Sequence, residues 1–208
     1  MKSWFMEARA DTAQLELREA PVPQPGPRQL LVRMRAASLN RGEFILGHGL
    51  HKAGAAKAIG MEGAGKIARL GAGVTGFKTG DRVMGRCAGA FSEYALMDVR
   101  EAIPMPPELS WEEGAAIPLT FLVVHDMLVA QGRLRPGEWV LITGVSSGVG
   151  VASLQAAKAI GARVIALNRL IGRPDDREHA EHPCDRQSSL IRTVVAGPSS
   201  DGIGQDHR

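Results

Sequence analysis

The chain has 208 residues, a formal net charge of +3, and 44% hydrophobic against 23% charged residues. That length fits one large globular domain or two small ones of ordinary composition. Two cysteines, Cys87 and Cys184, exclude a disulfide-stapled scaffold, and no apolar run approaches the roughly 20 residues that span a bilayer.

The start, MKSWFMEARAD, lacks the apolar core of a secretory leader, so a cytoplasmic location is expected. Basic residues are scattered among 22 acids without forming a stripe, and neither nucleic acid nor membrane is an expected partner. After the turn-rich PVPQPGPR, residues 29–36 (QLLVRMRA) read as a strand. Further short strands are expected at 66–70, 82–85 and 91–97, separated by glycine-rich turns such as GAGVTGFKTGD. Short strands with frequent Gly and Pro punctuation predict a barrel or sandwich.

The pattern changes after Pro106-Pro107. Ser110 and Glu113 have capping-box spacing for a short helix, and 119–130 reads as a longer, largely buried helix ended by Gly132. Residues 139–143 (WVLIT) form a continuous apolar run, as expected for a parallel strand buried on both faces. It leads into GVSSGVG, then an apolar helical pattern ending at Gly161, then a second strand at 163–167 (RVIAL). Together they make one βαβ unit. A glycine turn there admits a pyrophosphate against the backbone, and the following helix N-terminus offers it free N–H groups. The fingerprint G-x-G-x-x-G is incomplete: in the register ending at Gly150, Val145 and Ser147 hold the first two glycine places.

NAD sites commonly carry an acid at the end of the second strand, to hold the ribose hydroxyls. Here Asn168 and then Arg169 follow. Without the acid there is no repulsion against a 2′-phosphate, and Arg169 is able to pair with one. NADP is favoured, with NAD the alternative; on the other reading Arg169 simply points into solvent. Residues 169–208 differ sharply from what precedes them, with 10 of 40 apolar, 13 charged and no lysine. Such composition does not repay ordering entropy, and the segment is expected to be irregular apart from a short strand or helical turn at 189–196. All six of its basic residues are arginine, as an out-of-frame or alternatively spliced reading of a longer coding sequence would give.

Four segments carry a resemblance: RMRAASLNRGEF (33–44), GMEGAGKIARLGAGVTGFKTGDRVMG (60–85), AFSEYALM (90–97) and 114–150 through LITGVSSGVG. Over residues 1 to about 168 the chain resembles the medium-chain dehydrogenase/reductase superfamily, in its zinc-independent quinone oxidoreductase branch. The resemblance implies a GroES-like β-barrel domain at 1–125, a truncated Rossmann segment at 126–168 and the irregular tail at 169–208. It implies hydride transfer from a nicotinamide cofactor, NADP or NAD, to a small-molecule quinone or conjugated enone or aldehyde.

By the same resemblance Asn40 contacts the nicotinamide end, and Thr120 sits near the nicotinamide or its ribose. Ser146, Ser147, Gly148, Val149 and Gly150 cradle the pyrophosphate. Glu62 is placed beside the cofactor cleft, with two readings open: a role in the chemistry, or a structural pairing with an arginine such as Arg41. Zinc-dependent members have a cysteine at Asn40 and a histidine at Met61, so no zinc is expected. Cys87 reads as a small buried hydrophobe and Tyr94 as a packed strand residue. The pair His48 and His51 reads as solvated loop residues rather than a metal site. His125 and Asp126 are neighbours that do not face each other on a helix, and so form no dyad.

A complete domain of this type has two βαβαβ halves, more than 139–208 supplies. Impaired activity is therefore expected. The alternative is a non-catalytic fragment that serves as a binding module or is a decayed product. Oligomeric state is open.

Overall fold

Short strands broken by glycine turns, then one strand–turn–helix–strand run, define two architectures in the computed structural model. It describes residues 1–8, 12–44, 56–169 and 191–196. The chain falls into two compact units, Met1–Leu119 and Thr120–Arg208. That division lies in the same helix as the boundary expected at 125/126.

The first unit is built on β-structure. Strands β1 (Lys2–Ala8), β2 (Ala13–Glu19) and β4 (Lys57–Ala58) form one antiparallel sheet in the order β2-β1-β4. A second antiparallel sheet has the order β7-β3-β5-β6-β8. It contains β3 (Gln29–Ala37), β5 (Glu62–Leu70), β6 (Arg82–Arg86), β7 (Tyr94–Asp98) and β8 (Ala102–Pro104). The sheets are joined where Trp4 N–H donates to Phe91 O at 2.9 Å and Ser3 bridges Ser92. Leu30, Val32, Ile67, Val83, Met97 and Cys87 form the core of this unit.

Three differences from the sequence expectations have clear causes. The N-terminal hairpin was not among the expected strands, although Leu15 and Leu17 in β2 alternate with charged residues as a strand does; both leucines are exposed, so the alternation marks no core face. Residues 91–92 are not ladder members of β7; they link it to β1. Strand β5 begins at Glu62, well ahead of the expected Lys66, through small residues that give no alternating signal. Two register shifts in β3 bring its backbone against that stretch. A Cβ at Gly65 would strike the carbonyl of Arg33, so glycine here marks close backbone approach.

Helix α1 (Trp111–Ala116) starts at Ser110 with both capping-box bonds formed, as its spacing predicts. Helix α2 (Pro118–His125) follows and continues as a π-helical stretch, Asp126–Gln131, which closes at Gly132.

The second unit has three strands in the order β11-β10-β9, namely β9 (Trp139–Thr143), β10 (Arg163–Arg169) and β11 (Ile191–Ala196). Strands β9 and β10 are parallel and connected by helix α3 (Gly148–Ile160). Gly161 ends α3 in the left-handed conformation, φ 85°, which suits glycine. Strand β11 pairs antiparallel with β10, settling the strand alternative for 189–196.

The expected two-faced burial of 139–143 is corrected by the structure. Val140, Ile142, Val164 and Ala166 pack against Ala152 and Ala157 of α3 on one face. On the other face Trp139 is 56% and Leu141 58% exposed, because α3 covers one side and no described element covers the other. The largely buried helix expected at 119–130 is corrected likewise. Val124 and Leu128 are buried as one stripe, while Leu122, Val123, Met127 and Val129 are exposed.

An exposed apolar strand face promotes self-association. Leu141→Lys is expected to lower self-association in sedimentation velocity, with stability changed by no more than about 0.5 kcal/mol. Unchanged association would show that this face takes no part in it.

Candidate functional site

In the first unit the chemistry gathers around Glu62, the first residue of β5, which is 1% exposed. A carboxylate taken out of water must be hydrogen-bonded or neutralised. Glu62 Oε1 accepts from the Ser38 hydroxyl and from Asn40 Nδ2, the latter at 3.0 Å. Oε2 accepts from the Leu119 N–H at 2.6 Å. Ser38 and Asn40 lie just past β3, and Leu119 is in the first turn of α2, where an anion is favoured by the unpaired N–H groups and the helix dipole. Arg41 is exposed and is not the partner of Glu62. The arginine pairing is thereby corrected: two side chains and one backbone N–H do that work.

The sequence reading missed Glu43. It lies in the 3₁₀ turn Arg41–Phe44 and is 2% exposed. Its carboxylate accepts from the Asn40 N–H at 3.3 Å, while Glu43 N–H donates to Asn40 O at 2.9 Å. The signal was present in Asn40-x-x-Glu43, which has the same capping spacing as Ser110-x-x-Glu113. Burial pushes the Glu43 carboxyl above its usual range, and the charge of Glu62 adds to that. Bonds from Asn40 and Gly60 oppose it without cancelling it. Burial first, and the Glu62 charge second, push the Cys87 thiol up to about 12. Cys87 is a buried neutral thiol, not a nucleophile.

In the second unit the glycine turn lies between β9 and α3. Gly144 has φ 66°, and Ser147 N–H donates back to Gly144 O at 2.9 Å. Ser147 caps α3, its hydroxyl accepting from the Gly150 N–H at 3.1 Å. The N–H groups of Gly148 and Val149 have no acceptor among the described residues. Gly150 is buried; a Cβ there would meet Gly144 O and come within 2.6 Å of Val145 Cα. Only glycine allows helix and turn to approach this closely. A Cβ built on Gly148 meets nothing within 4 Å outside its chain neighbours and its own helix, and both Gly148 and Val149 are exposed, so this end of α3 is open.

Ser146 reaches across to the second strand. Its hydroxyl donates to Asn168 Oδ1 at 2.9 Å. Val145 N–H donates to Leu167 O at 3.2 Å and fixes the turn against β10. Thus Ser146, Ser147, Gly148, Val149, Gly150 and Asn168 come together in this unit, while Thr120 is half-buried in α2. Arg169 ends β10, and its side chain lies outside the described residues, as do His48, His51 and Cys184. His125 and Asp126 are exposed, and the Asp126 carboxylate accepts from Gln131 Nε2 at 2.5 Å rather than facing the histidine. Tyr94 is half-buried in β7.

Among known proteins, the family model of the alcohol dehydrogenase GroES-like domain matches residues 26–107. The chain is 40% identical over 151 residues to the spectinabilin polyketide synthase system protein NorB of Streptomyces orinoci, covering 71% of this chain and 7% of that protein. It is 36% identical over 154 residues to a quinone oxidoreductase of Pseudomonas aeruginosa, covering 73% of this chain and 47% of that one. The quinone oxidoreductase of Thermus thermophilus, solved free and with NADPH, is similar in structure. It superposes with a TM-score of 0.68 and 30% identity, covering 84% of this chain and 55% of that one. The chain therefore spans about half the length of these quinone oxidoreductases.

The buried Glu43 makes stability depend on pH with a definite sign. Its native pKa is raised, so the folded state holds the proton more tightly than the unfolded one. The contribution of Glu43 is fully present below the ordinary range near 4.5 and is lost as pH rises through the raised native value. Glu43→Gln keeps an acceptor for the Asn40 N–H and removes the charge. Thermal unfolding from pH 4 to 7 should show the variant gaining on the parent as pH rises. Parallel curves would mean that Glu43 does not titrate in this window.

Proposed function

The chain belongs to the medium-chain dehydrogenase/reductase superfamily, among its quinone oxidoreductase-like members, and from that premise we propose that it encodes a zinc-independent NADPH-dependent oxidoreductase acting on a quinone or conjugated enone. One observation carries the reading. The Gly144–Gly150 turn opens α3 with two unpartnered N–H groups beneath open space, and Gly150 leaves no room for a side chain. That is the arrangement a dinucleotide pyrophosphate requires.

When bound, the cofactor supplies a hydride to the acceptor. In this proposal the N–H groups of Gly148 and Val149, with the α3 dipole, hold the pyrophosphate. Ser147 fixes the first turn so that those donors stay aligned. Asn168 serves the adenosine end, where the absence of an acid favours NADP over NAD. Asn40 and Thr120 are assigned to the nicotinamide end by the family resemblance. Glu62 acts as a positioning residue: it holds the Asn40 side-chain amide through Nδ2 and anchors Leu119.

No zinc enters the proposal. Asn40 and Met61 offer an amide and a thioether where zinc chemistry takes Cys, His or carboxylate. No helix among the described residues is long and apolar enough to cross a membrane, and a cytoplasmic location is part of the proposal. A second reading, a binding module without turnover, is supported by the exposed face of β9.

The test uses the full chain and two substitutions at Gly148. Proline is well tolerated at the first helical position, and the extended Ser147 suits a following proline. Gly148→Pro therefore removes one free N–H without breaking an intrahelical bond, whereas Gly148→Ala keeps it. Fluorescence titration should give micromolar NADPH binding for the parent. Gly148→Pro should bind about tenfold more weakly, roughly 1.4 kcal/mol, and Gly148→Ala less so, with circular dichroism unchanged in both. Parent binding with quinone turnover, slow as the shortened domain leads one to expect, supports the enzyme; binding with no turnover above the cofactor's background oxidation favours the module; no binding at millimolar NADPH overturns the dinucleotide site.

A further inference from the structure

Resting on the dinucleotide reading, we infer that Ser146 is a specificity-determining residue: by holding Asn168 Oδ1 it turns the donor end of that amide toward the adenosine ribose, so that the site selects a 2′-phosphate over a 2′-hydroxyl. An asparagine side chain has an acceptor end and a donor end, and which one a ligand meets depends on what occupies the other. Here the acceptor end is occupied. Ser146 Oγ lies 2.9 Å from Asn168 Oδ1 as donor, and Nδ2 has no partner among the described residues.

The backbone makes this pairing specific. Ser146 sits in the turn after β9, and Asn168 lies on the adjacent parallel strand, one residue beyond the Thr143–Leu167 pair. Val145 N–H donates to Leu167 O, so the residue before each partner is itself fixed. On its other side Asn168 is in register with β11. Neither side chain needs to search for the other.

Magnitudes decide which ligand benefits. An unencumbered acid or amide oxygen accepts from a ribose 2′-hydroxyl, which is how an acid at this position selects NAD. Oδ1 keeps a second lone pair, but a 2′-hydroxyl gains at most a neutral bond there. A 2′-phosphate accepts from the Nδ2 donors in a charge-assisted bond, roughly twice as strong as a neutral one. Asn168 also carries no negative charge to repel it. Ser146 thus acts through Asn168, and its effect should appear in the ratio of two affinities rather than in overall affinity.

The experiment uses 2′,5′-ADP and 5′-AMP as probes in isothermal titration of the full chain, which separates the adenosine end from turnover. The parent should prefer 2′,5′-ADP about tenfold or more. Ser146→Ala should reduce that ratio about fivefold, mainly by weakening 2′,5′-ADP, with the ligand-free melting temperature unchanged. Ser146→Thr, which keeps the hydroxyl, should restore the ratio, and Asn168→Asp should reverse it. If both nucleotides bind but Ser146→Ala leaves the ratio unchanged, or weakens both equally, the role of Ser146 is overturned while the dinucleotide site stands. If neither nucleotide nor NADPH binds the parent, both readings fall.

Discussion

The carboxylate of Glu62 cannot be buried without donors, and the donors it finds come from three separated stretches of chain. Ser38 and Asn40 leave β3, Leu119 opens α2, and Glu62 begins β5. Removing the acceptor would leave a hydroxyl, an amide and a backbone N–H to satisfy elsewhere, a penalty of about 1–3 kcal/mol for each that stays buried. The position of Asn40 is therefore tied to that of Glu62. Glu43 reinforces the same turn from its other side by receiving the Asn40 N–H. Two acids thus share one asparagine: Glu62 receives its side-chain amide, and Glu43 its backbone N–H with help from the same side chain. At Glu43 burial outweighs the bonds from Asn40 and Gly60 and pushes the carboxyl up.

The second unit solves a different problem, close approach rather than buried charge. Gly150 lets α3 begin almost on top of the turn, and Ser147 takes up one of the four helix N–H groups that lack intrahelical partners. What remains unpaired is what an anion would use. The departures from the glycine fingerprint fit this geometry. Ser147, at the second glycine place, is the α3 cap, and Val145, at the first, donates its N–H to β10. The sequence changes the residue types and preserves the open N–H surface.

Much of this was legible in the sequence where a local rule was strong. The capping box at Ser110, the helix stop at Gly161 and the strand–turn–helix–strand order each follow from short-range chemistry. Glu43 was equally readable from its spacing to Asn40, but the motif falls on a 3₁₀ turn rather than before an apolar helical run. The partner of Glu62 was not readable, because Leu119 is distant in sequence and contributes a backbone N–H, which has no sequence signature. The first half of β5 was hidden for a related reason: Gly63, Ala64 and Gly65 are buried by backbone contact, not by apolar bulk. Burial on both faces of β9 was inferred from apolarity alone. Apolarity states what a strand tolerates, and only tertiary structure states what covers it.

The direction of β11 bears on the adenosine end. In the usual doubly wound order the strand beside the second one is parallel, reached by a crossover that lays a helix on the sheet. Between β10 and β11 the sequence contains Pro174, Pro183 and few apolar residues, without the helical stripe such a crossover uses. An antiparallel neighbour requires no crossover, and β11 is antiparallel. The consequence for Asn168 is the same as a parallel strand would give, since a ladder on either side fixes its backbone: β9 through the adjacent Leu167 and β11 through Asn168 itself. A side chain that selects between two ligands must be held before the ligand arrives, and one on a paired strand is held better than one on a loop. The hydroxyl of Ser146 then acts on the side-chain torsions that the backbone leaves free, and so on which end of the amide faces outward.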